Sequence, residues 1–223
     1  MKKIGCLLLA VCVLTLQGCT TLRSYSDEAR KAVEAKYGEP FTATEVIGNS
    51  YNVKVFLYPD SNEELMFTAS IDQDDGTVSD DYLVQLVNEQ INKNIEQCFI
   101  DSMINSSARC YAVSDDAVTY VTENDDPKSL MEACGMDYYV TYVIIDTDCE
   151  PETLKDLITR SCQEQEIDMI AVVFVLLDTN YEKCRKEMRQ NPEMNESLIK
   201  RYDPIHIYAI TVNEDETTLT VEK

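Results

Sequence analysis

Apolar and polar residues alternate in the first half of the chain and fuse into solid apolar runs in the second. Tyr51, Val53, Val55 and Leu57 share one face of a predicted strand from Tyr51 to Tyr58, and Leu65, Phe67, Ala69 and Ile71 repeat the period in another. A strand from Thr42 to Ile47 precedes them across Gly48-Asn49, a pair suited to a tight hairpin turn. Ahead of the strands, Ser26 can cap a helix from Asp27 to Tyr37 that Gly38 ends. Behind them, Asp74-Asp75-Gly76 forms a turn, and Ser79 or Asp80 opens a long helix to about Ser102. Leu83, Leu86, Val87, Ile91, Ile95, Cys98 and Phe99 make a helical stripe there, read as the cover of the three-stranded sheet.

Asn105-Ser106-Ser107 marks the expected boundary between an N-terminal unit, residues 26–104, and a C-terminal unit, residues 105–223. Cys110 to Val113 and Val118 to Val121 read as short strands, and Asp126-Pro127 and Gly135 as the start and stop of a short helix. Tyr138 to Ile145 and Ile167 to Leu177 are rich in β-branched residues and nearly without polar ones, which suits strands covered on both faces. A helix opening at Pro151 lies between them, with Leu154, Leu157, Ile158 and Cys162 on one side, so a strand, helix, strand crossover is expected. Tyr181 to Gln190 reads as a helix, Glu193 to Arg201 as a further turn or two, and Ile205 to Val212 with Thr217 to Val221 as a hairpin. The expected fold is α+β: a helix, three strands and a helix, followed by a mixed α/β unit.

The start of the chain follows another pattern. Lys2 and Lys3 precede an apolar run from Ile4 to Leu16, about half the ~20 residues of a membrane span, and Leu16-Gln17-Gly18-Cys19 closes it. This reads as a secretory signal, residues 1–18, with a lipobox. Cleavage leaves Cys19 as a lipid-modified first residue, and the tether after it, residues 19–25, holds the folded part close to the bilayer. The expected location is the extracytoplasmic face of the cell membrane.

Charge agrees with that address. The chain has 19 basic and 41 acidic side chains, a formal balance of −22, and losing residues 1–18 removes two lysines and no acid. Such a surface repels phosphate backbones and anionic lipid heads, so nucleic acid is not an expected partner and attachment must come from acyl chains. Cys6, Cys12 and Cys19 belong to the signal or anchor. Cys98, Cys110, Cys134, Cys149, Cys162 and Cys184 are either paired, in one of fifteen ways, or buried free thiols. No CxxC or Cys/His spacing suggests zinc.

Two elements carry a resemblance. Lys36-Tyr37-Gly38-Glu39-Pro40-Phe41 after a short helix, and Asp75-Gly76-Thr77-Val78-Ser79-Asp80-Asp81-Tyr82 before another, resemble uncharacterised small lipoproteins of Firmicutes, which carry a Tyr-Gly-Glu-x-Phe element and an acidic turn. The similarity covers roughly residues 26–100. It implies a lipoprotein of the Gram-positive cell surface and brings no catalytic residue with it.

Candidate chemistry is sparse. Asp72, Asp74, Asp75, Asp80 and Asp81 surround Gly76, but with Gly76 at the sixth position of a calcium loop the first would be Ile71 and the twelfth Tyr82, so turn formation and helix capping are expected and no metal. His206 sits alone in a predicted strand, and Tyr138, Tyr139 and Tyr142 are expected to pack rather than stack on a ligand. No nucleophile elbow, zinc-protease, P-loop or dinucleotide pattern is present, and no cofactor is expected. The reading is a membrane-anchored lipoprotein that binds a surface protein, peptide or glycan without catalysis. The alternative is an extracytoplasmic hydrolase or thiol enzyme that leaves no motif. The sequence does not give an oligomeric state.

Overall fold

The computed structural model describes residues 23–48, 52–112, 117–191 and 194–222. Its contacts divide the chain into two units, Met1–Asp81 and Tyr82–Lys223. The fold is α+β, with a helix and antiparallel strands first and a mixed α/β unit second. Cys19, the signal and the Asn49 turn lie outside the described residues.

In the first unit helix α1, residues 23–37, precedes strands β1 (Phe41–Gly48), β2 (Asn52–Pro59), β3 (Phe67–Asp72) and β4 (Val78–Asp80), which pair antiparallel in chain order. α1 already runs at residue 23, so Ser26 lies inside it instead of capping it. The expected faces hold. Val53, Val55 and Leu57 lie opposite Ile71, Ala69 and Phe67, and all six are buried. Phe41 packs edge-on to Phe67 at 5.4 Å between ring centres. The three expected strands gain a fourth, because Val78–Asp80 continues the hairpin around Gly76 (φ +75°) and pairs with Ala69–Ile71 before the next helix begins.

The second unit starts with helix α2 (Tyr82–Ile100), followed by β5 (Ser106–Ala112), the short helices α3 (Ala117–Tyr120) and α4 (Pro127–Cys134), β6 (Tyr139–Ile145), α5 (Pro151–Gln165) and β7 (Met169–Val175). Helices α6 (Asp178–Gln190) and α7 (Glu196–Ile199) and a 3-10 turn, Lys200–Tyr202, lead to the hairpin of β8 (His206–Val212) and β9 (Thr217–Val221). The sheet order is β5-β6-β7-β8-β9, with β6 and β7 parallel and every other pair antiparallel. Parallel neighbours need a crossover, and α5 supplies it as expected.

Both faces of this sheet are covered, which is why β6 and β7 are apolar throughout. Val143, Ile145, Val173 and Ile210 face α2 and α5, while Ile144, Phe174 and Ile207 face Tyr181, Cys184 and Met188 of α6. Asp126 caps α4 by accepting from Ser129 N–H at 2.8 Å, Pro127 takes its first position, and Gly135 ends it at φ +60°. All three are as the sequence predicts.

Three further expectations need correction. The long helix, expected as the cover of the first sheet, belongs to the second unit: its buried residues Val84, Val87, Ile91, Ile95, Cys98 and Phe99 build that unit's core, while Leu83 and Leu86 of the expected stripe are only half-buried. Polar ties fix it there. Arg160 donates to Cys98 O at 2.8 Å, and Ser161 to Asn94 Oδ1 at 2.7 Å. The division accordingly falls between Asp81 and Tyr82, and Ser106 and Ser107 are buried in β5 opposite Ile145 and Ile144 instead of forming a linker. Residues 117–120 are helical where Val118 to Val121 was expected to be a strand; Val118 and Tyr120 are exposed and only Ala117 is buried, so no face of a sheet claims them.

Candidate functional site

Parallel strands in an open sheet end at one edge, and ligand crevices form where their carboxyl ends splay apart. Here the carboxyl ends of β6 and β7 carry Asp146 and Asp178, and a crevice of about 600 Å³ opens beside them. Thr179, Tyr181, Glu182 and Lys183 from the first turns of α6 complete its lining. Asp146 is held in place by Asn105 Nδ2 at 2.6 Å and Thr147 Oγ1 at 2.8 Å. Asp178 adopts a left-handed backbone, φ +52°, as it turns the chain from strand to helix. Three carboxylates against one lysine make a crevice suited to a cationic or hydrogen-bond-donating group.

Burial pushes the Tyr181 phenol up to about 12, the wrong direction for a base at neutral pH. His206 lies 3.7 Å from Asp148, a pairing that would orient an imidazole if a nucleophile adjoined it. Cys149, next to Asp148 in the chain, is raised by burial and by Asp148 and Glu150. All six cysteines expected to be paired or free are free. Burial raises Cys110, Cys162 and Cys184 to about 12, and Cys98 is raised by burial as well. A nucleophilic cysteine needs the opposite shift.

Two of the three tyrosines pack as expected, and Tyr138 does not. Tyr139 is fully buried with its hydroxyl donating to Pro127 O at 2.7 Å, Tyr142 meets Tyr111 edge-on at 5.8 Å, and Tyr138 is partly exposed. The acids around Gly76 act locally. Asp72 accepts from Asp74 N–H and Asp75 from Thr77 N–H, both at 2.8 Å. Asp80 and Asp81, expected to complement a helix dipole, hold strands: Asp81 accepts from Thr68 N–H at 2.6 Å, while buried Asp80 takes Lys36 Nζ at 2.9 Å and the Tyr37 hydroxyl at 2.6 Å. Lys36-Tyr37 and the segment from Asp75 to Tyr82 thus meet at one carboxylate.

One arrangement escaped the sequence reading. β5 is an edge strand, yet two of its outward N–H groups are satisfied: Ala108 donates to Glu96 Oε1 at 3.0 Å and Cys110 to Asn92 Oδ1 at 2.7 Å. Two polar side chains one turn apart on α2 therefore stand in for a neighbouring strand. The spacing of Asn88, Asn92 and Glu96, one turn apart along a mostly apolar face, was the available signal. The signal for the crevice was an acid directly after each solid apolar run.

Burial raises the Glu96 carboxyl above its ordinary range, opposed by the Ala108 N–H and by Arg189 at 3.5 Å. The folded chain therefore takes up this proton at higher pH than the unfolded chain. Glu96 contributes its full stability below the ordinary carboxylate range and loses that contribution as pH rises through the folded value. The stability of the wild type relative to Glu96→Gln should grow as pH falls from neutrality toward the ordinary carboxylate range, read as the difference in urea midpoints at each pH. A difference that does not change with pH would refute this.

No protein-family model matches the chain, and no curated protein is similar to it. Among solved structures it is similar to a DUF5037 family protein from Ruminococcus gnavus, with a TM-score of 0.67 and 12% identity, over 86% of this chain and 92% of that one. The likeness shows the fold.

Proposed function

We propose that this protein is a lipid-anchored lipoprotein of the extracytoplasmic membrane face, and that it binds or docks a partner there without catalysing a reaction. The observation that carries the address is Leu16-Gln17-Gly18-Cys19 behind a short apolar run and two lysines. Among the described residues no helix is long and apolar enough to cross a membrane. Two or more acyl chains hold firmly where one is marginal, at about 0.8 kcal/mol per buried methylene. The thiols of Cys98, Cys110, Cys149, Cys162 and Cys184, all raised by burial, support binding over a thiol enzyme. The acidic crevice and the net charge of −22 favour a partner with positive charge.

Cys19→Ser in the producing cell tests the address. The wild type is expected in the membrane fraction, and the variant is expected in the soluble fraction or retained with its signal uncleaved. Equal membrane association of a processed variant would reject lipidation at Cys19.

A further inference from the structure

The sheet of the second unit has two edges, and the chain treats them differently. At β5 the outward N–H groups of Ala108 and Cys110 are taken by Glu96 and Asn92. At β9 no such cover is present among the described residues. The register places Thr211 opposite Thr218 and Ala209 opposite Thr220, and Glu222 N–H donates to Ile207 O at 2.9 Å. Residues of one strand turn their N–H and C=O to alternate sides, so Thr218, Thr220 and Glu222 face β8 while Thr217, Leu219 and Val221 turn theirs outward. Natural sheets blunt such an edge with charge, proline or a bulge, and Thr217–Val221 contains none of these.

We infer that the β9 edge is a docking site for an extended, positively charged peptide segment of a partner protein, which adds as a further strand beside Thr217–Val221. The backbone supplies the attraction through three outward residues. Charge supplies the choice of partner. Exposed Glu214, Asp215 and Glu216 precede the uncharged strand and exposed Glu222, which Lys200 approaches at 4.0 Å, follows it, so basic residues flanking a short uncharged centre meet carboxylates at both ends, with the denser group at the start. The acidic field there is strong enough to act on a neighbour: Asp168 is raised by burial and by Glu214 and Asp215.

A second copy of this chain fits the edge poorly. Antiparallel pairing about Leu219 would set Glu216 against Glu222 and bring together two chains of net charge −22. The inference deepens the reading of this protein as a binding protein and does not depend on the lipid anchor.

The test uses the full chain in detergent and a synthetic nonapeptide with two lysines at each end of Thr-Val-Thr-Val-Thr. Its counterpart carries glutamates in place of the lysines. Val221→Pro removes an outward N–H and leaves every β8–β9 hydrogen bond in place, and proline is tolerated on such an edge. The lysine peptide is expected to bind, and Val221→Pro to weaken it about tenfold, the share of one lost edge hydrogen bond. Amide protection at Thr218 and Thr220 should be unchanged, which separates a lost contact from a lost fold. Asp215→Lys with Glu216→Lys should weaken binding at low salt and converge with the wild type at high salt. Absent binding of the lysine peptide, equal binding by Val221→Pro, or equal binding of the glutamate peptide would overturn the inference. So would a dimer in sedimentation that Val221→Pro dissolves, because a second copy would then occupy the edge. Loss of peptide binding with membrane association intact would count against the edge alone, and the reverse against the anchor alone.

Discussion

Phe99→Ala is expected to lower the unfolding free energy of the second unit by about 3–5 kcal/mol, the usual cost of deleting a buried phenylalanine ring and leaving its cavity. Phe99 is fully buried near the end of α2, in the cluster that includes Ile95, Ile104 and Val143. The effect is large because α2 cannot swing in to fill the gap. Arg160 bonds Cys98 O one residue away, and Asn94 is tied to Ser161 and to Glu164 at 3.0 Å. Urea unfolding followed by far-ultraviolet circular dichroism reads the change. A loss under about 1 kcal/mol, the scale of a surface substitution, would mean that α2 does not build this core.

Asp80→Ala is expected to cost the first unit about 2–3 kcal/mol, since hydrogen bonds to a charged group contribute about 1.5–3 kcal/mol each and Lys36 recovers part of its loss by hydration. The Asp80 side chain is 3% exposed while that of Lys36 is 54% exposed. The Tyr37 hydroxyl therefore accounts for most of the effect. Tyr37→Phe should reproduce much of the loss and Lys36→Met little of it. Thermal melts of the three variants separate the contributions. A larger effect from Lys36→Met than from Tyr37→Phe would contradict this division.

The sequence was most legible where local chemistry decides the outcome. Asp126, Pro127 and Gly135 set the ends of α4 through a cap, a fixed φ and a left-handed turn, none of which needs a distant partner. The apolar runs became β6 and β7 because nothing but a doubly covered strand hides so many β-branched residues. What the pattern could not supply was the identity of the covering surface. The stripe on α2 says that one face is buried, and it reads the same whether the cover is the sheet before it or the sheet after it. Ser106 and Ser107 misled for a related reason: two polar residues resemble a linker until Ile144 and Ile145 pair with them. The crevice was half legible, since Asp146 and Asp178 each follow a buried strand, but only the parallel pairing of those strands brings them to one edge.

The most direct measurement of the central claim is the intact mass of the protein extracted from membranes of the producing organism. A chain that begins at Cys19 and carries the added mass of diacylglyceryl, with or without a further acyl chain, is the predicted result. A chain that retains Met1, or that begins at Cys19 or elsewhere without lipid, would contradict it.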